Sequence, residues 1–244
     1  MRFRRALHTP GYLVLGMHRS GTSCLTGLLE TAGLTPGAVS RRNKHNAKGN
    51  LEDRSIRAVN SAILKRFGGS WKRPPTHIAW SEIPRRPIYA ALDAYRGQEG
   101  WVIKEPRMLL TLPAWLPHLR NCRFVGTFRH PLSVACSMHA RDAMPLEDGV
   151  ALWTTYNQRL IELHARLPFP LLRFDQPKAD YLAQFAALCA SEGLRFSRDL
   201  CESFYDGALV HASSGDADAL PQQAAETLAY LVEHQVPVSA AATG

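Results

Sequence analysis

Gly16 and Gly21 bracket a polar turn in the stretch GMHRSGTSCLTGLLE. Their spacing suits a loop that folds backbone N–H groups around a phosphate. A nucleoside-triphosphatase loop would place lysine after the second glycine to reach the β- and γ-phosphates, then Ser or Thr to hold Mg²⁺. Here Thr22 and Ser23 follow Gly21, and the cation stands earlier, at Arg19. Backbone donors and a helix N-terminus, carrying roughly half a positive charge, still favour an anion. With the Arg19 guanidinium and the hydroxyls of Ser20, Thr22 and Ser23, the loop suits a terminal 5′-phosphate group better than a metal-bound triphosphate.

A second cluster lies in FVGTFRHPLSVACSM. Arg129 directly follows an apolar run, and Ser137 falls two turns into the helix that His130 and Pro131 open, proline being a usual first helical residue. A guanidinium at a strand end and a hydroxyl on the next helix could grip a second phosphate. Each also has a plainer reading, Arg129 as a salt-bridge partner and Ser137 as a core serine.

Both clusters need a strand before them and a helix after. GYLVLGM reads as a buried parallel strand, and Leu25, Leu28, Leu29 and Ala32 then recur with helical spacing until Gly33. Ile56, Val59, Ile63, Leu64 and Phe67 mark a second helix. GWVIKEP is a strand followed by a helix through 109–119. CRFVGTF is a strand and RHPLSVACSMHAR a helix. GVALWTTYNQRLIELHARL, YLAQFAALCASEGL and QQAAETLAYLVEHQ are further helices, with FPLLRF a short strand between the first two. Residues 68–87, rich in glycine and proline and holding Trp71 and Trp80, read as a long loop. Loops of that length are commonly binding loops, though aromatics also pin loops to a core. The alternation predicts an α/β protein: a three-layer, P-loop-like fold with a central parallel sheet flanked by helices. A single domain is expected over 1–235, with 236–244 a frayed tail.

Composition is that of a globular chain, 45% hydrophobic and 20% charged, and no apolar run is long enough for a transmembrane helix. The formal charge of +8 fits a polyanionic ligand, and no nucleic-acid-binding signature accompanies it. The 5 cysteines are scattered, with no C-x-x-C pair. They predict no zinc site and no disulfide framework, but buried thiols in a reducing, cytoplasmic setting.

Taken together, GMHRSGTSCL resembles the 5′-phosphosulfate loop of sulfotransferases, and TFRHPLSVACSM resembles their 3′-phosphate motif. NAKGNLE and KEPR are similar to the N-P-K-G-aromatic-E and K-D-P-R stretches of the bacterial branch. In NAKGNLE, Ala47 replaces the proline, Asn50 and Leu51 stand where aromatics would, and Glu52 is kept. The R-S-G-T-[ST] loop is shared with tyrosylprotein and carbohydrate sulfotransferases. The resemblance spans residues 11 to 140 and implies 3′-phosphoadenosine-5′-phosphosulfate (PAPS) as donor, adenosine 3′,5′-bisphosphate as product and no metal. It places Arg19, Ser20, Gly21, Thr22 and Ser23 at the 5′-phosphosulfate, and Arg129 and Ser137 at the 3′-phosphate. It also implies Glu52 as base, and Lys104 with Arg19 on the sulfuryl group. His18 and Glu105 are the alternatives for the base, each with a structural role open to it: His18 within the loop, Glu105 as the anchor of Arg107.

The reaction so implied is an in-line displacement onto an acceptor hydroxyl of a glycan, a peptide tyrosine or a small molecule. Residues 68–87 and the basic stretch 41–48 are expected at the acceptor entrance, with Arg41 and Arg42 favouring an acidic acceptor. A P-loop kinase that uses Arg19 for its lysine is the alternative. It lacks an acidic strand-end motif for Mg²⁺ and leaves Arg129 and Ser137 unexplained. A nucleotide-binding module without catalysis is a third reading.

Overall fold

The computed structural model describes residues 7–39, 41, 49–205 and 220–238. Among them, four parallel strands form one sheet: β1 (Gly11–Leu15), β2 (Trp101–Lys104), β3 (Cys122–Phe128) and β4 (Leu171–Arg173), in the order β2-β1-β3-β4. The chain leaves β1 for one neighbour and later returns on the other side, so the sheet changes direction beside β1. Such a switch point opens a crevice at the carboxyl ends of the strands, where open α/β sheets take ligands. The register brings Val14 opposite both Lys104 and Val125, so β1 and β2 end nearly level while β3 runs on to Phe128.

Strand residues alternate between two apolar layers, as a period of two requires. Tyr12, Val14, Val102, Val125 and Leu172 face α1 (Thr22–Thr31) and α7 (Lys178–Glu192), among Leu25, Leu28, Leu29, Phe185 and Leu188. Leu13, Leu15, Ile103, Phe128 and Leu171 face the opposite layer. That layer is built by α2 (Arg54–Arg66), α4 (Met108–Trp115), α5 (Pro131–Asp142), α6 (Leu146–Arg166) and α9 (Gln222–Glu233), with Ile56, Trp115, Met138, Trp153 and Leu231 at its centre. The three-layer α/β fold is the expected one.

Local chemistry sets the element ends. Gly33 takes φ 105°, which stops α1 where its apolar stripe ends. Asp53 caps α2 by accepting from the backbone N–H groups of Ser55 (2.8 Å) and Ile56 (3.2 Å). In α6, Glu147 and Asp148 occupy the first turn and His164 and Arg166 the last, matching the helix dipole.

Several elements depart from the sequence reading. The stretch expected as a loop through residue 87 is already helical from Arg85, where α3 (Arg85–Leu92) begins and buries Ile88, Ala91 and Leu92. The short α8 (Arg198–Phe204) buries Cys201 alone, too little to mark a stripe. The helix expected over 109–119 ends at Trp115 and gives way to a 3-10 turn at Leu116–His118, because Pro117 has no N–H to continue it. Of the tail expected to fray, Val236 is held: its N–H donates to Leu171 O (2.8 Å) and its carbonyl accepts from Gln184 (2.6 Å). Residues 239–244 lie outside the described residues. Cys189 and Cys201 are buried thiols as expected, whereas Cys136 lies on the outer face of α5 and is exposed.

At the start of β1 a side chain is excluded. A Cβ on Gly11 would stand 2.0 Å from the indole of Trp101, which is buried and donates to Thr9 O at 2.8 Å. Gly11→Ala is expected to cost about 1–3 kcal/mol of stability, since the indole must shift within a packed core. Chemical denaturation of the two proteins measures it.

Candidate active site

The loop after β1 turns tightly, with Ser20 N–H bonding Met17 O at 3.3 Å. Two successive odd residues in left-handed backbone shape it: Arg19 at φ 68° and Gly21 at φ 82°. A non-glycine residue in that region is strained and persists where surroundings over-determine it. Here the Arg19 side chain is fixed, Nε donating to Ser137 Oγ at 2.7 Å. Both glycines are steric requirements. A Cβ on Gly16 would lie 2.5 Å from the Thr127 carbonyl, and one on Gly21 would lie 2.3 Å from the Phe174 ring. From β3, Thr127 Oγ1 donates to Ser20 O at 2.9 Å and ties the loop to the sheet.

The loop delivers an uncapped helix. Gly21 supplies no side-chain cap to α1, and no acidic residue stands in its first turn. The first backbone N–H groups of a helix lie outside its own hydrogen-bond ladder. Ser20 is fully buried, and its Oγ has no hydrogen-bond partner among the described residues. An uncapped N-terminus beside an orphaned buried hydroxyl fits an anion such as phosphate.

Arg129 follows β3 directly and is buried, with its guanidinium 5.9 Å over the Phe174 ring. Its carbonyl accepts from Trp153 Nε1 at 2.8 Å. Asp175 organises the turn into α5, accepting from His130 N–H (2.8 Å) and from Arg173 Nε (3.0 Å). Phe174 and Asp175, at the end of β4, thus support both loops. Sequence reading missed them. Their one signal was FD placed after the last short strand, which resembles any strand end.

On the other side of the loop, Lys104 closes β2. Its Nζ donates to Glu52 Oε1 at 3.1 Å and to Ser23 Oγ at 3.3 Å, and Ser23 Oγ donates to Asn50 O at 3.0 Å. The Asp53 cap holds the adjoining backbone, and Tyr95 Oη donates to Asp53 Oδ2 at 3.2 Å. The structure therefore brings together Glu52, Lys104 and Ser23. Burial pulls Lys104 below the ordinary lysine value, while Glu52 and Glu105 oppose that pull.

Glu105 is buried and already engaged. Its carboxylate pairs with Arg107 and accepts from Asn60 Nδ2 at 2.6 Å. Asn60 Oδ1 in turn accepts from Thr111 Oγ1 (2.7 Å) and Trp115 Nε1 (2.8 Å). The anchor role holds for Glu105, and the network fixes the KEPR turn. His18 is buried beside Trp71, ring centroids 4.3 Å apart. Burial holds its pKa well below the usual histidine range, and Arg107, Arg141, Lys104 and Arg19 add to the effect.

The long loop therefore reaches the site through Trp71, whose carbonyl accepts from Tyr156 Oη at 3.1 Å, while Trp80 is exposed. Lys72 Nζ and the Arg141 guanidinium lie 5.2 and 5.5 Å from the Trp71 ring, and both pair with Asp142. Arg141 also escaped the sequence reading. Arg41 does not line the entrance as expected. It pairs with Glu30 at 2.6 Å, near the far end of α1 and roughly 12 Å along the axis from Thr22. Arg42 and most of the basic stretch lie outside the described residues. Among the described residues no group of His, Cys, Asp or Glu is arranged to hold a metal ion, and no helix is long and apolar enough to cross a membrane.

Comparison with known proteins bears on this arrangement. The model of a family described as the sulfotransferase family matches residues 10–198. The fold is similar to the sulfotransferase domain of the Synechococcus PCC 7002 olefin synthase, with TM-score 0.56 and 16% identity, over 97% of this chain and 100% of that one. It is also similar to sulfotransferase STF1 from Mycobacterium tuberculosis H37Rv (TM-score 0.51, 16% identity, 92% of this chain and 78% of that one). Sulfotransferase STF9 from Mycobacterium avium is a third (TM-score 0.52, 14% identity, 93% and 75%). No curated protein matches the chain in sequence.

The site carries a pH signature of its own. His18 and His130 both fold with pKa values lowered by burial, Asp175 partly offsetting this at His130. An unfolded chain takes protons on both rings below about pH 6.5, and the native protein resists them. Their contribution to stability is therefore complete above that pH and lost as pH falls. The thermal midpoint is expected to drop from about pH 7.5 to about pH 5.5, and to drop less in His18→Gln. Thermal scans at several pH values check both statements.

Proposed function

The chain belongs to the sulfotransferase family, and from that premise we propose that it moves a sulfuryl group from PAPS to an acceptor hydroxyl. The acceptor oxygen forms a bond to sulfur while the bond from sulfur to the donor's phosphate oxygen breaks. The acceptor's proton goes to a carboxylate, and adenosine 3′,5′-bisphosphate leaves. One observation carries the reading: Arg19 of the first loop donates to Ser137 of the second cluster across 118 residues of sequence. Two anion-seeking motifs that meet at the carboxyl ends of the neighbouring strands β1 and β3 support a single ligand with phosphates at both ends.

In this reading the first loop and the N-terminus of α1 hold the 5′ end through Ser20, Gly21, Thr22 and Ser23. Arg129 and Ser137 hold the 3′-phosphate that distinguishes this donor from ordinary nucleotides. Arg19 and Lys104 stabilise charge on the transferred group, a task best done by cations fixed before the reaction begins. Glu52, with one oxygen on Lys104, is the base. Trp71 gives the acceptor an apolar wall beside the loop, which suits the body of a small molecule, a glycan or a tyrosine ring. Scattered cysteines with no C-x-x-C pair are the ground on which the reading places the enzyme in the cytoplasm.

Calorimetric titration with adenosine 3′,5′-bisphosphate, beside ADP and Mg-ATP, tests the donor. The bisphosphate is expected to bind in preference to both, and Arg129→Ala to weaken it about 10- to 100-fold, the worth of one charged hydrogen-bonding group. Preference for Mg-ATP would favour a kinase instead. Glu52→Gln is expected to bind the bisphosphate unchanged yet lose about 10²–10⁴ in turnover, the usual contribution of a positioned base. Sulfuryl transfer from radiolabelled PAPS to a panel of phenols and sugars measures that loss.

A further inference from the structure

His18 is more than a packing residue of the loop. Its ring is wedged between Trp71, at 4.3 Å, and Tyr156 of α6, at 6.1 Å. Nε2 is sealed from solvent and has no hydrogen-bond partner among the described residues. Buried ring nitrogens are rarely left so. The same loop holds a second orphan two residues on, the hydroxyl of buried Ser20. Two unpartnered polar atoms in one phosphate-type loop point to a ligand that completes both.

The charges around the ring say what that ligand does to it. Cations face it from four places: Arg19 in its own loop, Lys104 at the end of β2, Arg107 before α4 and Arg141 on α5. Behind them stand Glu52 on Lys104, Glu105 on Arg107, and Asp142 between Arg141 and Lys72. With burial, these cations keep the free imidazole neutral. An anion with several negative charges, seated among the same cations, reverses the local balance and favours the protonated ring.

We propose that His18 takes up a proton from solvent when an anionic nucleotide occupies the loop, and then donates a hydrogen bond from Nε2 to it. No covalent bond changes in this step. The proposal rests on the donor reading above, and it adds a proton-linked cation that appears only with the donor in place. A histidine is suited to this, since modest changes around it move it across neutral pH.

The test is calorimetric titration of the full chain with adenosine 3′,5′-bisphosphate near pH ~7, in buffers of different ionisation enthalpy. Wild type is compared with His18→Gln. The ligand's own phosphates shed part of their protons on binding, so the difference between the two proteins is the readout. Wild type is expected to take up about one proton more than the variant, and the ratio of their affinities to fall about tenfold per pH unit as pH rises. Equal uptake in two proteins that both bind would overturn the inference and leave the donor reading standing. Absence of binding by wild type would overturn the donor reading, and this inference with it. If the variant does not fold, NMR of wild type labelled in its histidine rings decides. A ring that stays neutral in the free protein and becomes protonated on adding the bisphosphate supports the proposal, and no such ring refutes it.

Discussion

The organising constraint of this molecule is the crowding of like charge at the carboxyl end of a small sheet. Arg19, Lys104, Arg107, Arg129 and Arg141 converge on the ends of three parallel strands. Burial and mutual repulsion pull Arg19 below the ordinary guanidinium value, and burial does the same to Arg129. Like charges brought together out of water oppose folding unless something answers them. Carboxylates do so at several points: Glu52 meets Lys104, Glu105 meets Arg107, Asp142 meets Arg141, and Asp175 favours the charged form of Arg129. Arg19 donates to a neutral hydroxyl, while Asp142 favours its charged form. Among the described residues its side chain is positioned by that hydrogen bond rather than by a salt bridge.

The backbone serves the same end. Gly16 and Gly21 allow the loop to lie against Thr127 and Phe174 at distances no other residue permits. Phe174 then bears on both motifs, under Gly21 and beneath the Arg129 guanidinium. The strained conformation of Arg19 is maintained from outside the loop, by Ser137 on α5 and by Thr127 on the sheet. Each of the two loops is thus fixed by residues of another segment, and neither would be organised alone.

Rigidity behind the site comes from polar groups that satisfy one another. Asn60 receives Thr111 and Trp115 and gives to Glu105, so a helix, a turn and a second helix share one buried side chain. A buried network of this kind is worth its cost only when each member is paired. By contrast, the unpartnered atoms of His18 and Ser20 lie in the loop itself. Among the described residues, His130 Nδ1 beside the second cluster and Asn157 Oδ1 on α6 are likewise buried without a partner.

By itself the sequence determined what local patterns can carry. The glycine spacing, the absent lysine, the apolar strands and the stripe of α1 follow from neighbouring residues, and they gave the fold class and the two clusters proposed to hold an anion. Glu52 and Lys104 were legible as residues from the resemblance, but their contact was not. Short elements such as α3 and α8 escaped because seven or eight residues hold too few periodic positions to stand out. Tertiary structure alone decided the encounters: Arg19 with Ser137, Lys104 with Glu52 and Ser23, Trp71 over His18, Phe174 beneath Gly21. It also separated two glutamates that look alike in sequence, seating Glu105 in the Asn60 network and leaving Glu52 on the lysine beside the loop. The reason is physical. Parallel strands are joined by long crossovers, so residues at the carboxyl ends of neighbouring strands come from distant parts of the chain, and no local pattern records which of them will meet.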